Sequence, residues 1–174
     1  MAEALSFPDP SLFVHDYGGA RRERLSPRQL AEVWADARAP EAAWNLYLHV
    51  PYCKSICSFC NYTRLRVSSQ RSLDDYVSFI ASEAQLFAPA LEGVEFGSVY
   101  VGGGTPSVLS AEQLSRLFTT LHDTFRFAPG AQKNFEYDPM VMTPNRMEVL
   151  AEFGFNRFSF GIQSTDVGVN ELHN

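Results

Sequence analysis

The segment WNLYLHVPYCKSICSFC, residues 44–60, joins a strand-like run to every cysteine of this 174-residue chain. Its first part, WNLYLHV (44–50), is rich in aromatic and branched apolar residues and predicts a buried β-strand. Its second part carries Cys53, Cys57 and Cys60, at spacings of four and three residues. The sequence therefore places three thiols directly after the first predicted strand.

Predicted helices and strands alternate through the rest of the chain. The later strands are GSVYV (97–101), KNFEY (133–137) and NRFSFGI (156–162). The helices are expected to begin at Ser72 with Asp75 as its capping-box partner, at Ser110 with Gln113, at Thr143 before Pro144, and at Asp166.

A strand followed by a helix, repeated four times, is typical of a parallel sheet in an α/β protein. A closed TIM barrel needs eight such units. We therefore expect parallel β/α repeats that form the N-terminal part of a larger, partial TIM-type barrel, with a small open α/β domain as the alternative. Residues 1–43 are expected to be an N-terminal extension with a helix over 26–39, and residues 44–174 the core.

The composition excludes several classes of function. The net charge is −6 and the chain has no long basic run, so we expect no nucleic-acid partner. The N-terminal residues lack the pattern of a signal peptide, and no window reaches the roughly 20 apolar residues of a membrane span. Three cysteines clustered in one loop favour a reducing compartment over secretion. We expect a cytoplasmic protein.

Unusual residues follow each of the four predicted strands. The cysteines follow the first strand, Gly102, Gly103 and Gly104 follow the second, Glu136 ends the third, and Gln163 ends the fourth. In parallel α/β proteins ligands bind at the carboxyl ends of the strands, which lie at one edge of the sheet. The sequence therefore predicts one active site built from these four features.

The three thiols indicate a metal site with an incomplete set of ligands. Structural zinc and closed [4Fe–4S] clusters usually have four protein ligands. His49 is poorly placed to be the fourth ligand, since it lies on the strand four residues before Cys53. Three thiolates are consistent with a cluster that leaves one iron open to a ligand from outside the protein. Zinc and three buried core cysteines remain the alternatives.

The other features are weaker when each is taken alone. The run VGGGTP (101–106) is either a tight turn or a cradle in which a ligand meets exposed backbone groups, and it is not a P-loop. Glu136 is either a solvated charge or the partner of an ammonium group. Gln163 is either a surface residue or a ligand for a ribose or an amino acid.

These stretches, in this order, resemble the radical S-adenosylmethionine enzymes. LYLHVPYCKSICSFCNY (46–62) is similar to the oxygen-independent coproporphyrinogen III oxidase branch. The resemblance extends over roughly residues 45–174 and includes YVGGGTPSVLS (100–110), FEYDP (135–139) and GFNRFSFGIQS (154–164). It implies a partial (β/α)6 barrel, of which this chain would form the N-terminal part.

The resemblance also implies the cofactors and the residues that hold them. Cys53, Cys57 and Cys60 would bind a [4Fe–4S] cluster, and S-adenosylmethionine would chelate its open iron. The residues that match positions around S-adenosylmethionine are Tyr47, Phe59, Gly103, Gly104, Thr105, Glu136 and Gln163. In this branch a second S-adenosylmethionine can bind beside the first, near Gly104, Thr105 and Gln163.

The implied reaction is radical chemistry on a porphyrinogen. A 5′-deoxyadenosyl radical would abstract hydrogen from a substrate propionate, which loses CO₂ and becomes a vinyl group in porphyrin biosynthesis. A flavodoxin or ferredoxin would supply electrons. This chain has Asn61 and Tyr62 after Cys60, where the oxidase typically has a further cysteine in a Cys-x-Cys ending. A radical C-methyltransferase and a haem chaperone of the same architecture are therefore the alternatives.

Overall fold

The computed structural model describes residues 26, 28–29, 32–33 and 44–173. Most of the helix expected over 26–39 lies outside these residues. Within them, residues 28–29 and 32–33 are helical, and the Ser26 hydroxyl accepts a hydrogen bond of 3.2 Å from the Gln29 N–H. This is the capping contact expected at that position.

Strands and helices alternate between residues 44 and 173. The strands are β1 (Trp44–Val50), β2 (Tyr52–Cys53), β3 (Leu65–Arg66), β4 (Glu95–Gly103), β5 (Arg126–Glu136) and β6 (Arg157–Ser159). The α-helices are α1 (Gln70–Phe87), α2 (Ala111–Thr124), α3 (Pro144–Glu152) and α4 (Val167–His173). Short 3₁₀ helices cover Ala88–Leu91 and Pro106–Val108.

Four strands form one parallel sheet in the order β1-β4-β5-β6. One α-helix lies between each consecutive pair of these strands along the chain, so the sheet winds in a single direction. A singly wound parallel sheet is the arrangement of a barrel segment rather than of a doubly wound domain. The expected α/β class with parallel β/α repeats is confirmed.

The helix boundaries follow local capping, and one expectation was wrong. Helix α1 begins at Gln70 rather than Ser72, because Ser69 is its N-cap and Ser72, not Asp75, completes the capping box. The Ser110 and Gln113 capping box of α2 is present as expected.

The remaining two helices begin close to their expected positions. Helix α3 begins at Pro144, although the Thr143 side chain makes no capping hydrogen bond. Asp166 accepts a hydrogen bond of 2.9 Å from the Val169 N–H at the start of α4.

The strands differ more from their expected lengths. Strand β4 extends beyond the expected segment at both ends, and β5 begins seven residues earlier and ends one residue earlier than expected, whereas β6 keeps three of the expected seven residues. Strands β2 and β3 were not expected, since two residues are too few to show any periodicity. They pair in parallel on either side of the cysteine segment, with Leu65 N–H donating to Pro51 C=O and Val67 N–H to Cys53 C=O.

The core lies between the sheet and its helices. Phe135 on β5 is fully buried and packs against Phe118 of α2 and against Phe155. Alternate residues along the strands project to the other face, which bears polar and aromatic side chains. The helices cover one face of the sheet, and the other face is left to build a site.

Candidate functional site

The cysteine segment packs directly against the glycine turn at the end of β4. A Cβ atom added at Gly104 would lie 2.8 Å from the Tyr52 carbonyl oxygen and 2.9 Å from the Cys53 Sγ. Contacts this short do not occur for real Cβ atoms, so a residue with a side chain cannot stand here without displacing the segment. The structure therefore brings two of the predicted features together.

Backbone hydrogen bonds hold this contact in place. Gly104 N–H donates to Val50 C=O at 2.7 Å, and Thr105 N–H donates to Tyr52 C=O at 2.8 Å. Gly103 has φ of +114°, a conformation that favours glycine. Its N–H donates to Glu136 Oε2 at 3.3 Å. The N–H groups of residues 103–105 are thus used within the protein, and a ligand at this turn would meet carbonyl oxygens and the Thr105 side chain.

Glu136 joins the turn to the third strand. It is the last residue of β5 and is partly buried. A Cβ atom added at Gly102 would lie 2.7 Å from its Oε2 atom. The expected meeting of the cysteines, the glycines and Glu136 at the carboxyl ends of β1, β4 and β5 is present in the structure.

The three cysteines have different surroundings. Cys53 is buried in β2, Cys60 is half-buried, and Cys57 is exposed. Burial raises the pKa of the Cys53 thiol, and a hydrogen bond with the Thr105 side chain partly opposes this effect. The nearby Cys60 and Cys57 thiols raise it further. The three sulfur groups are thus close enough to interact electrostatically.

The three cysteine sulfur atoms do not converge on one point in this structure. Across residues 44–173, no three His, Cys, Asp or Glu side chains are gathered into an arrangement that could hold a metal ion. Cys53 is fixed by strand pairing, whereas Cys57 lies in the exposed loop between β2 and β3. Metal sites of this kind form together with metal binding, since the metal bonds supply the free energy that closes the loop.

The residues nevertheless fit an iron–sulfur cluster. Three thiolates are the donor atoms that such a cluster prefers. Arg64 lies at the end of the cysteine loop, just before β3. Its Nε is buried and has no partner among the described residues, although its Nη1 donates to Tyr62 C=O. Its positive charge acts to lower the pKa of Cys53. A buried cationic donor near the Cys53 thiol suits an anionic group.

His49 is a site residue that the sequence reasoning did not assign. Its Nδ1 is 2.9 Å from the Tyr47 hydroxyl, and its Nε2 is 3.0 Å from the Thr63 carbonyl oxygen. Since a carbonyl oxygen only accepts, Nε2 carries the proton and Nδ1 accepts from Tyr47. A Cβ atom added at Gly103 would lie 2.6 Å from the His49 ring. His49 therefore links β1, the glycine turn and the exit of the cysteine loop.

Tyr47 presents its ring on the open face of the sheet. It is 57% exposed, and its ring centre is 5.9 Å from that of Tyr100 on β4. Partial burial, followed by the charge of Glu136, raises the pKa of the Tyr47 hydroxyl. The hydroxyl therefore stays protonated near neutral pH and can keep donating to His49.

Two other predicted residues are exposed. Phe59 is 43% exposed within the cysteine loop. Gln163 is exposed in the segment after β6, with its side chain turned toward Gly161. The roles of Phe59 and Gln163 toward a cofactor stay predictions.

None of the helices between residues 44 and 173 is both long enough and apolar enough to cross a bilayer.

Comparison with known proteins agrees with this geometry. The model of the radical SAM superfamily matches residues 47–174. Oxygen-independent coproporphyrinogen III oxidase from Escherichia coli K12 is 32% identical over 169 residues, which are 97% of this chain and 35% of that protein. Anaerobilin synthase from Escherichia coli O157:H7 is 32% identical over 145 residues, or 80% of this chain and 32% of that protein.

A solved structure is similar in fold as well as in sequence. The coproporphyrinogen III oxidase of Escherichia coli, described as a radical SAM enzyme, matches with a TM-score of 0.76 and 32% identity. The match covers 85% of this chain and 34% of that one, so the chain spans about a third of the length of these relatives. The superfamily match extends from β1 through all three cysteines and the glycine turn to Asn174, and this chain belongs to the radical SAM superfamily.

Proposed function

We propose that this chain is the cofactor-binding part of an oxygen-independent coproporphyrinogen III oxidase-like enzyme. The observation that supports this most strongly is the close packing of Cys53 against Gly104, which joins the thiol loop to the turn beside Glu136. The relatives named coproporphyrinogen III oxidase supply the substrate class. The site is proposed to work as a unit, because each of its parts restrains the next.

The proposed cofactors are a [4Fe–4S] cluster and S-adenosylmethionine, as the superfamily implies. Cys53, Cys57 and Cys60 would hold the cluster. The residues proposed to contact one S-adenosylmethionine, or two, are Tyr47, Phe59, Gly103, Gly104, Thr105, Glu136 and Gln163. When bound, these cofactors supply an organic radical able to remove a hydrogen atom from carbon. The surrounding residues orient them and keep water away.

The proposed reaction converts a propionate side chain into a vinyl group. The substrate loses one hydrogen atom, one electron and CO₂, and a carbon–carbon double bond forms. The hydrogen atom passes to the radical, and the electron passes to an acceptor. A small electron-transfer protein such as a flavodoxin or ferredoxin is the proposed source of the electron that starts each cycle.

Methyl transfer to an aromatic substrate is the second candidate. Asn61 and Tyr62 follow Cys60 where the oxidase typically has a Cys-x-Cys ending, and this difference favours a relative with another product. The similarity to a protein named anaerobilin synthase also shows that differently named relatives match this chain to a similar degree.

Product analysis distinguishes the candidates. The reconstituted protein is incubated anaerobically with S-adenosylmethionine, a reductant and coproporphyrinogen III labelled with ¹³C at its propionate carboxyls. The oxidase proposal expects labelled CO₂, a vinyl product and 5′-deoxyadenosine. Formation of S-adenosylhomocysteine and a methylated product would instead support the methyltransferase. Tight haem binding without any consumption of S-adenosylmethionine would instead indicate a haem chaperone.

A Cys57→Ser variant is the matched control for this experiment. It changes one exposed sulfur to oxygen and leaves the buried core unchanged. Products that persist in this variant after its iron content has fallen would show that they arise without the cluster.

A further inference from the structure

Four polar residues on neighbouring strands form a row across the open face of the sheet. The row is further from the carboxyl ends of the strands than the candidate site. Strand register pairs Tyr47 with Tyr100, Tyr100 with Asn134, and Asn134 with Arg157. Each of these residues alternates with neighbours that face the helices, so all four belong to the open face. The row lies two residues before Glu136 along β5, about 6–7 Å further from the carboxyl edge.

Asn134 is the unusual member of this row. It is 3% exposed, and its Nδ2 donates to the Ser159 hydroxyl at 3.0 Å. Its Oδ1 is buried without a partner among the described residues. If the amide is turned over, Ser159 can donate to the oxygen and the nitrogen is left unpartnered instead. One polar atom of Asn134 therefore lacks a partner in either orientation, which is costly for a buried group.

Arg157 brings a positive charge to the same row. Its side chain is exposed, and its Nη1 donates to Gln132 Oε1 at 3.1 Å. It takes part in none of the ion pairs formed by the described residues. A guanidinium has five N–H donors arranged to bind a carboxylate with two hydrogen bonds. Arg157 is thus available to bind an anion.

Tyr100 completes the site. It is 42% exposed and pairs with Asn134 across the strands. Tyr100 and Arg157 flank Asn134 on the two neighbouring strands, and both are exposed. The row thus offers a cation, an amide and a phenol side by side.

We propose that Tyr100, Asn134 and Arg157 form a subsite that binds a carboxylate arm of the substrate. This inference rests on the proposed function, which supplies a substrate with several propionates. Arg157 pairs with the carboxylate, and the Asn134 amide hydrogen-bonds to it or to an adjacent polar group. The subsite holds an arm that does not react, and so it orients the arm that does.

Anaerobic isothermal titration calorimetry of the reconstituted full chain tests this subsite. The probes are coproporphyrin III and its tetraamide, which has the same shape without the four negative charges. The variants are Arg157→Gln, Arg157→Lys and Asn134→Leu. Asn45→Leu is the matched control. Asn45 lies on the same face, two residues before Tyr47 on β1, and accepts a hydrogen bond from the Ser98 hydroxyl. Circular dichroism spectra and melting curves verify that each variant folds.

The wild-type chain is expected to prefer the acid over the amide by about tenfold or more, as for a charge-assisted hydrogen bond. Arg157→Gln should remove this preference, and Arg157→Lys should restore much of it. Asn134→Leu should weaken binding of both probes, whereas Asn45→Leu should leave both affinities within about twofold of the wild type.

The opposite results overturn the subsite. A preference that survives in Arg157→Gln, or affinities unchanged by Asn134→Leu, would place the carboxylate elsewhere. A wild-type chain that binds both probes equally and still forms the vinyl product would refute the subsite while the proposed function stands. Failure of the wild-type chain to bind either porphyrin would overturn the subsite, whereas the proposed cofactor-binding role is tested separately by the spectrum of the reconstituted cluster with and without S-adenosylmethionine.

Discussion

The two faces of the four-stranded sheet are built from alternate residues of the same strands, yet they have opposite characters. On the helix side, Val50, Val101 and Phe135 are fully buried. On the open side, Tyr47 and Tyr100 are more than 40% exposed. The difference shows that one face supplies the free energy of folding and leaves the other free to carry polar groups. Changes on the two faces should therefore be separable in experiments.

The largest effect on stability is expected from Phe135→Ala on the helix side. The change leaves a cavity among Phe118, Phe155 and their neighbours and should lower the free energy of unfolding by about 3–5 kcal/mol. Tyr100→Phe on the open face should lower it by less than about 1 kcal/mol. Urea denaturation compares the two variants. Equal decreases in the free energy of unfolding would show that the helix side does not contribute more to stability than the open face.

Gly104→Ala should damage the site through backbone packing. The added methyl group meets the Tyr52 carbonyl and the Cys53 sulfur, so the cysteine segment has to shift at a cost of about 1–3 kcal/mol. Iron content after anaerobic reconstitution should fall with it. Gly97→Ala, on the strand that leads into this turn, is the control, because its nearest contact is the Trp44 carbonyl at 3.9 Å. Normal iron content in Gly104→Ala would show that the segment tolerates the shift.

His49→Phe should have a smaller effect, confined to the site. It removes the hydrogen bonds to Tyr47 and Thr63 and should cost about 1–2 kcal/mol. Hydrogen exchange measured by mass spectrometry should quicken in residues 61–66 and stay unchanged in α2. If exchange in 61–66 is unaltered, His49 does not hold the loop exit.

The smallest effect is a pH dependence on the helix side. Burial lowers the pKa of His122, whose Nε2 is 2.7 Å from the Lys133 ammonium. The folded state thus favours neutral His122. Its contribution to stability is complete above the unfolded pKa near 6.5 and is lost as pH falls through the lower folded pKa. Melting temperatures between pH 7.5 and 5.5 should fall less in His122→Gln than in the wild type, and an identical fall would contradict this assignment.

Much of the fold was predictable because it depends on local patterns. Apolar periodicity and capping residues indicated four β/α units, and the Ser110 capping box was located correctly. The start of α1 was missed because Ser69 and Ser72 are equally good caps in sequence, and the choice between them is made by backbone geometry. The β2 and β3 pair was missed because its hydrogen bonds join segments that have no pattern of their own.

The residues of the candidate site were also only partly predictable from the sequence. The cysteines, the glycines and Glu136 could be found because each follows a predicted strand and parallel strands end at one edge. His49 and Asn134 could not be found, since their roles depend on partners 14 and 25 residues away. The sequence also could not show that the N–H groups of residues 103–105 are used within the protein.

The central claim is that three thiols at the carboxyl ends of the strands hold a cluster with one iron left for S-adenosylmethionine. Electron paramagnetic resonance of the anaerobically reconstituted, reduced chain tests it most directly. The account predicts about four irons per chain and a [4Fe–4S]⁺ spectrum whose g values change when S-adenosylmethionine is added. A spectrum that is the same with and without S-adenosylmethionine would contradict it.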